Sequence, residues 1–113
     1  MKLSEKIIKT AKYCRAAKAK GVFEKVTGCW DKCMDETDEE HRKIIEYYCS
    51  GRISARKISG LTYADPATVS RTVRKFYLGF LNEINANGLN KDIKKLFGAS
   101  EKMFTIPVPD VKI

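Results

Sequence analysis

The stretch that decides the fold runs from Gly51 to Tyr77 and reads GRISARKISGLTYADPATVSRTVRKFY. Ser54 suits a helix N-cap, because its hydroxyl can accept a hydrogen bond from an otherwise unpaired backbone N–H. Ile58 follows four residues later and is expected to face inward. Gly60, Leu61 and Thr62 are predicted to end the helix, because glycine is costly in a helix interior. A short helix is therefore predicted over about residues 54–61.

A second helix is predicted directly after this turn. Asp65 can cap the free N–H groups of a helix start, and Pro66 suits the first helical position. Apolar residues then recur at helical spacing. They are Val69, Val73, Phe76, Tyr77 and Phe80. This pattern predicts a long helix over about residues 66–86 whose opposite side is polar and basic.

The segment ISARKISGLTYADPATVSRTVRKFY resembles the helix-turn-helix of bacterial and phage transcription regulators. A serine, an apolar-small pair, a capped turn and a Thr-Val pair recur there in this order. In this chain they are Ser54, Ile58-Ser59, Asp65 and Thr68-Val69. With the preceding HRKIIEYYCSG, the segment is also similar to sigma-factor region 4, response-regulator output domains and a class of phage late-gene antiterminators. The resemblance implies a DNA-binding module whose second helix enters the major groove.

The resemblance implies two sets of contacts with double-stranded DNA. Residues predicted to face base edges are Ala67, Ser70 and Arg71. Residues predicted to contact the DNA backbone are Arg52, Ser54, Arg56, Lys57, Thr68, Arg74 and Lys75. Arg71 is expected to read guanine through its paired donors. The alternative for Arg71 and Arg74 is a solvated helix face or a salt bridge to the acidic third helix.

Basic charge is concentrated in two parts of the chain, which has 113 residues and a formal net charge of +8. Residues 51–78 carry six basic groups and one acidic group, a net charge of +5, as phosphate contact requires. Residues 1–27 carry eight basic and two acidic groups, a net charge of +6. Residues 28–50 carry three basic and seven acidic groups, a net charge of −4. This distribution favours a polyanionic partner for the basic parts.

The N-terminal residues predict a basic helix that ends at Gly21. Its predicted inward residues are Leu3, Ile7, Ile8, Ala11, Cys14 and Ala17. Three interpretations of this helix are open: a solvated surface helix, a second phosphate-contacting surface, or a contact for an acidic partner. A second helix is predicted from Val22 to Asp35, and a capping box of Thr37 and Glu40 is predicted to open a third.

The whole chain, residues 1–113, is predicted to form a single all-α domain of about five to six helices with an extended C-terminal tail. Residues 1–36 hold the first two helices, and residues 37–87 hold the helix-turn-helix core. Residues 88–113 hold a short helix, predicted to end at Gly98, and the tail, whose residues 103–113 are predicted to be extended. Two prolines, Pro107 and Pro109, exclude a helix in that tail.

The sequence contains no phosphate-binding glycine loop, nucleophile elbow or metalloprotease helix, so no enzymatic activity is expected. No cofactor or metal is expected either, because Cys14 and Cys49 lie singly on apolar stripes. The absence of a long apolar run or secretory signal predicts a cytoplasmic, nucleoid-associated protein without membrane contact.

The leading hypothesis is a sequence-specific DNA-binding transcription regulator, with a homodimer as a possible state. One alternative is an antiterminator-like module that binds RNA polymerase or another protein through the acidic segment Asp31 to Glu46. Another is the DNA-recognition subunit of a mobile element.

Overall fold

The computed structural model of this chain describes residues 2–51, 53–62 and 64–105. Within these ranges the chain forms helices and no β-strand. The six α-helices are α1 (Leu3–Lys20), α2 (Glu24–Asp35), α3 (Glu39–Cys49), α4 (Ala55–Thr62), α5 (Pro66–Ala86) and α6 (Asn90–Thr105). The all-α prediction with five to six helices is confirmed.

The basic helix α1 ends at Gly21, whose φ of 70° places it in the left-handed region that glycine adopts without strain. The inward stripe differs from the prediction at its start, since Leu3 remains 42% exposed and Ile8 is only partly buried. Thr10 and Tyr13 are buried instead, and Tyr13 packs edge-on against Phe97 of α6 with ring centroids 5.1 Å apart. The packing of α6 therefore widens the buried face of α1.

The second and third helices begin later than predicted. Phe23 adopts a left-handed φ of 53° before α2, so the predicted start at Val22 is wrong and Val22 is 45% exposed. The N-cap of α3 is Asp38, whose carboxylate accepts the His41 backbone N–H at 2.8 Å. The capping box that starts at Thr37 is therefore wrong. The Thr37 hydroxyl donates to the carbonyl of Cys33 at 2.7 Å and completes the end of α2 instead.

Both caps predicted for α4 and α5 are present. Ser54 Oγ accepts the backbone N–H of Lys57 at 3.2 Å, and Asp65 Oδ1 accepts that of Thr68 at 2.7 Å. Ile58 is completely buried. The α4 helix continues through Gly60 to Thr62. The α5 helix begins at Pro66, and all five residues of its predicted stripe are buried.

The long helix α5 lies at the centre of the molecule and packs against α2, α3, α4 and α6. Trp30 of α2 contacts two α5 rings edge-on, with centroids 4.9 Å from Phe76 and 5.2 Å from Phe80. The α3 helix packs on both α4 and α5 through its buried Ile44 and Ile45. Packing against the neighbouring helices therefore fixes the positions of α4 and α5.

The last helix is longer than predicted, because α6 continues through Gly98 to Thr105. Glycine costs a helix about 1 kcal/mol relative to alanine, and tertiary packing outweighs that cost here. Leu96 and Ser100, on either side of Gly98, are both buried. The predicted extended segment is thus wrong for residues 103–105. Its remainder, residues 106–113 with both prolines, lies outside the described residues.

Candidate nucleic-acid interface

The side of α5 opposite its buried stripe is accessible over the first three turns. The predicted contact residues exposed on this helix are Ala67, Ser70, Arg71, Arg74 and Lys75. Thr68 is half-buried. The side chains predicted to face bases and those predicted to face phosphates therefore share one accessible face of α5.

Three further predicted contact residues are exposed at the start of α4. They are Ser54, Arg56 and Lys57, and the Ser54 hydroxyl also caps its own helix. The α4 and α5 helices pack directly on each other. Arg52, the remaining predicted contact residue, lies outside the described residues.

The cations of this region have no carboxylate partner among residues 2–51, 53–62 and 64–105. No described carboxylate oxygen lies within 4.0 Å of Arg56, Lys57, Arg71, Arg74 or Lys75. The Arg71 guanidinium makes one contact, a weak one of 3.4 Å to Thr68 Oγ1. The alternative in which Arg71 or Arg74 forms a salt bridge with α3 is therefore absent from this part of the structure.

Several cations elsewhere hold helices together instead. Lys18 of α1 pairs with Asp31 of α2 at 2.9 Å, and Lys32 of α2 pairs with Glu83 of α5 at 3.2 Å. Arg42 donates to the carbonyls at the end of α2, at 3.0 Å and 2.9 Å. The basic residues of α4 and α5 thus differ from these structural cations in having no such contact.

The carboxylate of Asp65 lies at the start of the same face and is occupied by its own helix. The hydrogen bond from the Thr68 backbone N–H lowers the pKa of Asp65, and the nearby charge of Arg71 lowers this pKa further. An ionised Asp65 fixes the first turn of α5 and so the position of Arg71.

The exposed face of α5 is bordered by two unlike grooves. One, the α1–α5 groove, has a volume of about 340 Å³ and includes Lys2 and Ser4 of α1 beside Ser70 and Arg74 of α5. The other, the acidic groove, has a volume of about 670 Å³. It places Arg71 and Lys75 beside Glu36, Asp38, His41 and Glu83. The region is therefore positive on one side and mixed in charge on the other.

Two further residues, Leu78 and Asn82, continue the exposed face of α5 beyond the predicted residues. Leu78 is 52% exposed, and both line a shallow groove with Arg71, Arg74 and Lys75. Their spacing of seven and eleven residues from Arg71 is helical, so the sequence pattern alone could have identified them. Lys2 and Ser4 had no comparable signal, because their proximity to α5 depends on tertiary packing.

The cysteines contribute to the core. Cys14, Cys29 and Cys49 are buried, and Cys33 is partly buried. Burial raises the pKa of both Cys14 and Cys49 to about 12, so these thiols are neutral at physiological pH. Among the described ranges, no group of three His, Cys, Asp or Glu side chains is arranged to hold a metal ion.

None of the six helices, as far as the structure describes the chain, is long and apolar enough to cross a bilayer. Comparison with protein-family models, curated proteins and solved structures finds no match for this chain.

Proposed function

We propose that this protein is a sequence-specific DNA-binding transcription regulator in which α4 and α5 act as a helix-turn-helix. The observation that carries the proposal is the set of exposed cations on α4 and α5 that have no carboxylate partner among the described residues. Neutralising DNA phosphates releases counterions and supplies most non-specific affinity, so cations without partners on one face suit a polyanion.

The proposed docking places the first turns of α5 in the major groove. Ala67, Ser70 and Arg71 then face base edges, because they lie on the exposed first turns that the Asp65 cap positions. Arg71 is the strongest base reader of the three, since a guanidinium can donate two hydrogen bonds to guanine O6 and N7. Its one hydrogen bond to a described residue is the weak one to Thr68, which DNA can replace at little cost.

The remaining cations position the protein on the backbone. Arg56 and Lys57 belong to the first turn of α4, the helix before the inserted one, and Arg74 and Lys75 lie one turn beyond Arg71. These contacts set affinity and orientation and carry no sequence information. A protein with this role works in the cytoplasm, on the nucleoid.

A charge-matched pair of triple variants tests the proposal. The first is Arg56→Gln/Lys57→Gln/Arg74→Gln, and the control is Lys25→Gln/Lys91→Gln/Lys94→Gln, which removes the same charge from exposed residues of α2 and α6. The slope of log affinity against log salt on a duplex should fall by about 0.9 for each lost phosphate contact in the first variant. The control should keep the wild-type slope. Equal losses in both would mean that only net charge matters.

A second candidate function is binding of a protein partner such as RNA polymerase. Glu39, Glu40 and Glu46 of α3 are exposed and lie more than 4.0 Å from any described cation. They could accept a basic partner surface. Glu39→Gln/Glu40→Gln would then abolish pull-down of RNA polymerase but leave DNA binding intact. If the protein lacks this role, the variant and the wild-type protein should behave alike in the pull-down.

A further inference from the structure

The α1–α5 groove differs in composition from the two grooves of the protein that contain several acidic side chains. Its polar lining consists of two cations, Lys2 and Arg74, and the hydroxyls of Ser4, Tyr48 and Ser70. None of the described carboxylates lines it. By contrast, the acidic groove of about 670 Å³ and another groove of about 470 Å³ contain three described acidic side chains each.

This composition suits one kind of ligand. Two positive charges and three hydroxyls can donate to an anion with several acceptor oxygens, and a phosphate has that chemistry. The floor of the groove is formed by Ile7 and Val73, which are 2% and 1% exposed. Closely packed side chains of this kind hold the polar rim in place.

The position of the groove relates it to the exposed face of α5. The Thr10 hydroxyl lies 3.1 Å from the Tyr77 hydroxyl, which fixes α1 alongside α5. Ser70 lies seven residues before Tyr77 and borders the groove on the α5 side. Lys2 lies eight residues before Thr10 and borders the groove on the other side. The groove thus opens beside the turn of α5 that carries Arg71.

We infer that the α1–α5 groove binds a backbone phosphate of the same DNA that α5 reads. The inference rests on the proposed function and extends the interface to the start of α1, where Lys2 is the N-cap residue and Ser4 lies in the first turn. Arg74 faces this phosphate from α5, and the Ser4 and Ser70 hydroxyls donate to its oxygens. The contact orients the protein on one strand, because the acidic groove on the other side of α5 is lined by Glu36 and Asp38, which repel a phosphate.

Two variants and one control test this assignment on the duplex that wild-type protein selects from a random pool. Lys2→Gln should lower the salt slope by about 0.9, equally on selected and scrambled DNA. The control Lys25→Gln removes the same charge near Asn87 and Leu89, beyond the far end of α5, and should leave the salt slope unchanged. Ser4→Asp puts a carboxylate in the first turn of α1, where it favours the helix, and should weaken DNA binding without lowering the melting temperature.

A scan of single methylphosphonate substitutions, which remove one phosphate charge at a time, identifies the phosphate itself. At one backbone position the substitution should weaken wild-type binding but have little further effect on Lys2→Gln. The inference is overturned if Lys2→Gln matches Lys25→Gln in slope and in methylphosphonate profile while Arg71→Ala still loses sequence discrimination. If wild-type protein selects no sequence and Arg71→Ala changes nothing, the proposed function itself fails, and the inference with it.

Discussion

The hydroxyl of Thr10 in α1 lies 3.1 Å from the phenol oxygen of Tyr77 in α5, and both residues are at most 1% exposed. The Thr10 hydroxyl also donates its one hydrogen to the Lys6 carbonyl at 2.7 Å. Tyr77 must therefore be the donor in the bond between the two side chains. This bond joins the basic N-terminal helix to the helix proposed to read DNA.

This geometry predicts unequal effects of two nearly isosteric substitutions. Thr10→Val leaves the buried Tyr77 hydroxyl without an acceptor and should lower the free energy of unfolding by about 1–3 kcal/mol. Tyr77→Phe removes the donor and leaves Thr10 bonded to Lys6, so it should cost only about 0.5–1.5 kcal/mol. Urea unfolding of both variants and of the double variant measures this. The double variant should cost less than the sum, and additive effects would contradict the bond.

Two glycines should respond to alanine in opposite ways. Gly28 lies within α2, and an added Cβ would have no atom within 4 Å, so Gly28→Ala should raise the free energy of unfolding by about 1 kcal/mol. Gly51 has a φ of 71°, and its Cβ would lie 3.2 Å from Ile8 Cγ2. Gly51→Ala should therefore destabilise the protein. Melting temperatures of the two variants test this, and a change of the same sign in both would be inconsistent with the structure.

Alkaline pH should destabilise the protein through its buried thiols. Burial raises the pKa of Cys14 and Cys49 from 9.0 to about 12, so the unfolded chain loses these protons at a lower pH than the folded protein. The stability from these thiols is complete below pH 9 and is lost as pH rises from 9 towards 12. The loss should approach about 1.4 kcal/mol per thiol for each pH unit.

Urea unfolding between pH 8 and pH 10 measures this loss. The variant Cys14→Ala/Cys49→Ala has a lower starting stability because of the lost side-chain volume, but its stability should depend less steeply on pH. An unchanged pH dependence in the variant would assign the alkaline loss to other groups.

Local chemistry allowed the central helices to be predicted, and a competing local contact together with nonlocal packing explains where the prediction failed. Ser54 and Asp65 each cap a helix through a contact three residues away, which a sequence reveals directly. Thr37 and Asp38 are both suitable caps, and only the contact of Thr37 with the Cys33 carbonyl decides between them. The extension of α6 past Gly98 depends on its burial against α1, which no local pattern contains.

The candidate site likewise has features that the sequence predicts and features that only the structure shows. The exposed side of α5 follows from helical spacing, so Arg71 and Arg74 could be placed from the sequence. The lack of described carboxylate partners could not be predicted from the sequence. Lys18 and Arg71 are both basic residues of basic helices, and only the structure shows that Asp31 lies 2.9 Å from Lys18. The groove between Lys2 and Arg74 joins residues far apart in the chain and depends on the tertiary arrangement of α1 and α5.

The most direct test of the DNA-binding role is selection of duplexes from a random pool by wild-type protein, Arg71→Ala and Arg74→Ala, each variant lacking one arginine of α5. Wild-type protein should select a defined motif, and a palindromic one would indicate a dimer. Arg71→Ala should lose about 1–3 kcal/mol of discrimination at one base position, while Arg74→Ala should weaken binding to all sequences alike. If wild-type protein selects no motif, or if Arg71→Ala selects the same motif with unchanged discrimination, α5 does not read DNA as proposed.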